Sequence, residues 1–109
     1  MGKSQRAKGQ AGEREIVTIL TERGHHARRT APLQTYLGAA GGYADVTGLE
    51  GIHLEVKRQE RLQMDEWSRQ AEAECGQNVP VVVYRRSREP WRVSMLLDDF
   101  LTIYEEGLR

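Results

Sequence analysis

The chain has 109 residues and a mass of 12.4 kDa, room for one domain with one core. Hydrophobic residues make up 39% and charged residues 29%, too apolar a balance for a disordered chain, and no apolar run approaches the ~20 residues of a membrane span. Sixteen basic and sixteen acidic residues cancel, and Cys75 stands alone, which excludes an internal disulfide and an all-cysteine zinc site.

The chain opens on Met1-Gly2-Lys3-Ser4-Gln5-Arg6 with no hydrophobic stretch behind it. A cytoplasmic, reducing setting without membrane contact is the expectation. Residues 1–12 hold Lys3, Arg6 and Lys8 without an acid and without a period. They are expected to form a flexible basic arm ahead of a single domain over 13–109.

From about Gly12 to Arg23 the pattern is helical, with Ile16, Val17 and Leu20 on one stripe and Gly24 as the stop. Residues 25–31 are a short strand candidate. Pro32 to Tyr43 is a long loop rich in glycine and small residues, a kind of connection that tends to carry function. Two β-like runs follow, over 44–48 and 52–57, separated by Leu49-Glu50-Gly51. That spacing predicts a three-residue hairpin, a type I turn closed by a left-handed glycine. Met64 to Cys75 reads as a second helix, with Trp67 and Ala71 on one face and Gly76 as its stop. Val79 to Arg86, with three consecutive valines, reads as a buried strand. A last strand runs from Pro90 to Met95, and Leu97 to Tyr104 reads as a short terminal helix. The order α-β-β-β-α-β-β-α predicts an α/β fold, a central mixed β-sheet flanked by helices.

The hairpin permits a geometric deduction. With Leu49-Glu50-Gly51 as the loop, Gly48 pairs with Ile52 and Asp45 lies directly opposite Glu55, their side chains about 5 Å apart on one face. Alternation puts His53, Glu55 and Lys57 on that face and Ile52, Leu54 and Val56 on the other. Two facing carboxylates repel unless a cation lies between them. Lys57 meets part of that need; a hard divalent ion meets it better, because Mg²⁺ takes one or two carboxylates together with water and phosphate oxygens. The plainer reading is an exposed β-face carrying charges. Glu13 lies three, four and seven residues before Ile16, Val17 and Leu20, so it shares their stripe. A carboxylate there is either a helix-start acid favoured by the macrodipole or a functional group.

Glu13 on the first helix, Asp45 opening the hairpin and Glu55-Val56-Lys57 on its second strand resemble the active site of the PD-(D/E)XK nuclease superfamily. The likeness is nearest to Holliday-junction-resolvase-like nucleases of phage and bacterial origin. It extends from about Gly9 to Phe100 and includes Gly41-Gly42-Tyr43-Ala44-Asp45-Val46, Trp67 with Gln70-Ala71, and Pro90-Trp91. Ala44 stands where the motif's name has proline. The resemblance implies a restriction-endonuclease-like core and a cytoplasmic site of action in a bacterial or phage-infected cell. It also implies divalent-metal-dependent endonuclease activity on DNA, branched or duplex, with Mg²⁺ as cofactor and Mn²⁺ able to substitute.

By the same resemblance Asp45 and Glu55 ligate the metal with the Val56 carbonyl, and Glu13 completes the acidic cluster directly or through water. Lys57 orients water or stabilises the transition state, and Gln70 contacts metal-bound water or Lys57. His53, on the same face, is expected at a polar rim. Phosphate contacts are expected from Arg28, Arg29, Arg58, Arg61, Arg85 and the arm residues Lys3, Arg6 and Lys8. Tyr36 and Tyr43 in the glycine-rich loop are placed to stack on a base or sugar. A homodimer follows if two strands are cut symmetrically. Two other functions fit the same residues: a nicking, flap or phage-DNA-processing nuclease without junction preference, and a non-catalytic DNA-binding module on a nuclease fold. An acid–base enzyme on a small molecule would need a deep pocket that a chain of this size hardly supplies.

Overall fold

The computed structural model describes residues 2–30 and 44–107; the glycine-rich loop, with Tyr36 and Tyr43, lies outside them, as do the side chains of Lys3 and Arg6. Among the described residues, three helices and five strands follow the anticipated order. They are α1 (Gly2–Glu22), β1 (Arg28–Arg29), β2 (Val46–Thr47), β3 (Ile52–Arg58), α2 (Met64–Glu74), β4 (Val79–Arg85), β5 (Arg92–Met95) and α3 (Leu97–Gly107). The strands make one mixed sheet in the order β1-β2-β3-β4-β5. All its neighbours are antiparallel except β3 and β4, which run parallel. A parallel pair needs a crossover, and α2 supplies it. This architecture is compatible with a restriction-endonuclease-like core.

The sheet has an apolar side against each of two helices, and strand alternation decides which residue faces which. Leu54 and Val56 of β3, Val81 and Val83 of β4 and Val46 of β2 form one core with Ile16 of α1. Val17 and Leu20 pack against it, so the stripe seen in the sequence is the stripe that is used. On the opposite side Val82 packs under Trp67 and Ala71 of α2, and the Tyr84 ring lies 6.4 Å from the Trp67 ring. Trp67 is thus a core residue, with the roughly 1.5–3 kcal/mol that burying a large apolar side chain contributes.

The expected basic arm is helical instead. α1 begins at Gly2, ten residues before the predicted start, because Gln5, Arg6, Ala7, Lys8 and Gln10 are good helix formers with no proline among them. Their lack of an apolar stripe does not prevent the helix. Lys8 sits 3.7 Å from Glu60. Where α1 crosses the sheet, Gly12 makes a close approach possible. A Cβ there would lie 3.1 Å from Cβ of Arg58 and 3.3 Å from the Trp91 ring.

The hairpin has the predicted register. Val46 faces Leu54, Ile52 N–H donates to the Leu49 carbonyl at 3.0 Å, and Gly51 closes the turn at φ +83°. Gly48 has φ +139°, and a Cβ on it would meet Cα of Ala27 at 2.8 Å. Gly48→Ala therefore loses about 1–3 kcal/mol of stability, whereas Gly51→Ala, with open space around it, loses less; urea denaturation of the two variants measures the difference.

Candidate metal and nuclease site

Asp45 lies one residue before β2, yet its backbone is locked on both sides. Its N–H donates to the Leu54 carbonyl at 2.9 Å, and its carbonyl accepts from Thr30 N–H at 3.1 Å. The buried Thr30 hydroxyl also donates to the Ala44 carbonyl. The side chain is held as firmly: Asp45 Oδ2 accepts the Val56 N–H at 2.8 Å. Across the hairpin Glu55 is 1% exposed, because α2 covers the face that it shares with His53 and Lys57. The charges on this face are therefore packed under a helix.

His53 is a correction to the sequence-based expectation. It is 3% exposed, not at a rim, and its Nε2 lies 2.7 Å from Glu55 Oε1. Lys57 Nζ donates to Gln70 Oε1 at 3.0 Å, one of the two contacts expected of Gln70. Glu13 accepts from Arg29 Nε at 2.9 Å, which ties the start of the site to β1. Among the described residues no three His, Cys, Asp or Glu side chains gather into a group that could by itself hold a metal ion.

Burial dominates the electrostatics of the pair. Burial pushes the Asp45 carboxyl up to about 7, with the facing Glu55 charge adding to it, against the Val56 N–H and Lys57. Burial also pushes Glu55 up to about 7, and Glu74 on α2 adds to that rise. Glu13 is raised too, by burial first and by Asp45, although Arg29 opposes it. Burial lowers His53. Glu55 Oε2 is buried without a hydrogen-bond partner, an expensive state for a carboxylate oxygen. Two deprotonable oxygen donors, one of them orphaned, fit a hard divalent cation that completes its shell with water and a backbone carbonyl.

The family model described as "Phage putative PDDEXK endonuclease" matches residues 4–106. The chain belongs to that family. No curated protein and no solved structure matches it. No helix among the described residues is long and apolar enough to cross a membrane.

The basic residues expected at phosphate divide into two groups. Arg29 is held by Glu13, and Arg58 and Arg85 both reach Glu15, at 3.5 and 2.9 Å. Arg85 also lies over the Trp91 ring at 5.2 Å. Arg28 and Arg61 are exposed and form no ion pair among the described residues. Sequence reasoning missed Glu15, which accepts Arg85 and the Trp91 indole N–H (3.2 Å) and so joins α1 to β4 and the approach to β5. No local spacing announces contacts between residues 70 and 76 apart. Glu74 was also missed, though it stands four residues after Gln70 and hence on the same side of α2.

A pH dependence follows. Both carboxyls are raised on folding, so the native state binds more protons than the unfolded chain between pH ~4 and ~7, and stability falls as pH rises through that window. Urea midpoints of metal-free protein should fall from pH 5 to pH 8, and Glu55→Gln, which removes one titrating group, should flatten that slope.

Proposed function

We propose that the chain is a divalent-metal-dependent endodeoxyribonuclease, with Asp45, Glu55 and the Val56 carbonyl holding the ion, Mg²⁺ or Mn²⁺. The observation that carries the proposal is the pair of half-buried Asp45 and buried Glu55, facing across one hairpin with one Glu55 oxygen unpartnered. When bound, such an ion makes a water more acidic and offsets negative charge on the scissile phosphate. The chain's own groups do the rest. The Val56 N–H fixes the Asp45 carboxylate, so the donor set is in place before substrate arrives. Lys57, steadied by Gln70, presents an ammonium to the phosphate, where negative charge grows in the transition state. Glu13, beside Asp45 and clamped by Arg29, adds to the negative potential that attracts the cation. Arg28 and Arg61, exposed and unpaired among the described residues, are the first candidates for phosphate contacts, with Lys3, Arg6 and Lys8 along α1. We place the nuclease domain over 13–109, with the polar start of α1 as its extension. The substrate is duplex or branched DNA, and the cytoplasm of a bacterial or phage-infected cell is where such DNA is found.

Cleavage of labelled four-way junction, flap, nicked, duplex and single-stranded DNA tests this. Cutting should require Mg²⁺ or Mn²⁺, disappear with EDTA and with Glu55→Ala, and fall about 10²–10³-fold with Lys57→Ala. Paired incisions in the junction alone make the enzyme a resolvase; cutting of the other forms makes it a general DNA-processing nuclease. DNA that shifts on a gel under either ion and is never cut favours a binding module.

The same reading makes the active species a homodimer, because one small domain offers one site and symmetric cutting takes two. The exposed apolar face of α3 supports it: no residue of this helix is buried, and Leu97, Phe100 and Tyr104 are 68%, 51% and 56% exposed. Leu96 and Val93 extend the patch towards the outer strand β5. Patches of this kind mark interaction surfaces. Sedimentation should give a dimer that Phe100→Glu converts to a folded monomer. A wild-type chain that sediments as a monomer with and without DNA removes this part of the proposal.

A further inference from the structure

Each charged group of the site is tied to a protein group: Glu13 to Arg29, Asp45 to the Val56 N–H, Lys57 to Gln70 and Glu55 to His53. The last differs from the others. His53 and Glu55 are both buried, at 3% and 1% exposed, and lie two residues apart on one face of β3. The contact is 2.7 Å, and it engages only Oε1; Oε2 is the orphaned oxygen. An ionised carboxylate can only accept, so when Glu55 is deprotonated, as a metal ligand is, the ring nitrogen beside it donates its N–H and sets the rotation of the carboxylate about its last bond.

We infer that His53 is a positioning residue for the metal site: its ring N–H occupies Glu55 Oε1 and so commits Oε2 to the cation. The inference rests on the metal-binding reading above. Lys57 is engaged with Gln70, and the Asp45 carboxyl, which hydrogen-bonds Glu55 while protonated, gives up that proton as a metal ligand, which leaves His53 as the donor to Glu55. Without His53 the carboxylate can turn either oxygen to the ion or accept water under α2. Donors behind metal ligands typically change affinity 10–100-fold when removed.

The test is Mn²⁺ binding by calorimetry on full-length protein without DNA, with thermal melting of the metal-free protein alongside. His53→Leu, which removes the donor, should weaken Mn²⁺ binding by about 10–100-fold. His53→Gln, which keeps an N–H within reach, should recover most of that loss. If the leucine variant fails to fold, His53→Asn replaces it, its amide being too short to reach Glu55, with the same expectation. A folded donor-less variant that binds Mn²⁺ as tightly as wild type overturns the inference and leaves the metal site standing. Equal loss in the glutamine variant also overturns it, since that reports packing and not the hydrogen bond. Wild type that binds no Mn²⁺, or binds it equally with Glu55→Ala, removes the metal-site reading and this inference with it.

Discussion

Two carboxylates held against each other under a helix are the constraint around which this small domain is organised. The pairing of Val46 with Leu54 puts Asp45 opposite Glu55, and α2 then closes over the face that carries Glu55. Glu55 is fully buried and Asp45 half-buried, and burial raises both carboxyls to about 7. The fold tolerates this because the backbone around Asp45 is fully committed, to Leu54 on one side and Thr30 on the other. Rotation of the side chain away from its partner would break the Val56 N–H contact. Destabilisation stored where a cation can relieve it is a familiar property of functional sites.

The two helices that cover the sheet serve different ends. α1 anchors: Ile16 fills one core, Gly12 lets the helix come close to β3, and Glu15 gathers Arg58, Arg85 and Trp91 from three distant parts of the chain. With its position fixed, Glu13 reaches the edge of the site beside Asp45. α2 both seals and equips. Trp67 and Ala71 bury the opposite side of the sheet, and the adjacent turn positions bring Gln70 to Lys57 and the Glu74 charge to bear on Glu55. Three of the arginines that looked free in the sequence are spent inside this frame, which leaves a narrower basic surface for a polyanion than the composition suggested.

α3 is the exception to this economy. It follows β5 directly, buries none of its own residues and keeps an apolar face in water. The described domain completes both of its cores without it. It carries exposed Phe100 and Tyr104 stacked 6.5 Å apart, and exposed apolar patches of this kind mark interaction surfaces.

Much of this was legible in the amino-acid order, because it depends on short spacings. The hairpin register follows from a loop of three residues ending in glycine, and the register alone places Asp45 against Glu55. The period of Ile16, Val17 and Leu20 put Glu13 on the inner side of α1, whereas Gln70 was tied to the site only by the family resemblance. The element order followed from the same local patterns. What only the tertiary structure decided is burial and long-range pairing. A polar run at the start of α1 reads equally as arm or as exposed helix, because composition constrains burial and not backbone state. His53 became a buried partner of Glu55 once α2 lay across it, and no spacing says which face of a hairpin a later helix will cover. The occupation of Arg29, Arg58 and Arg85 by Glu13 and Glu15 depends on contacts between residues 16 to 70 positions apart in this hydrogen-bonded frame. Charge is written in the sequence, but whether a charge is available to a partner is settled by what folds beside it.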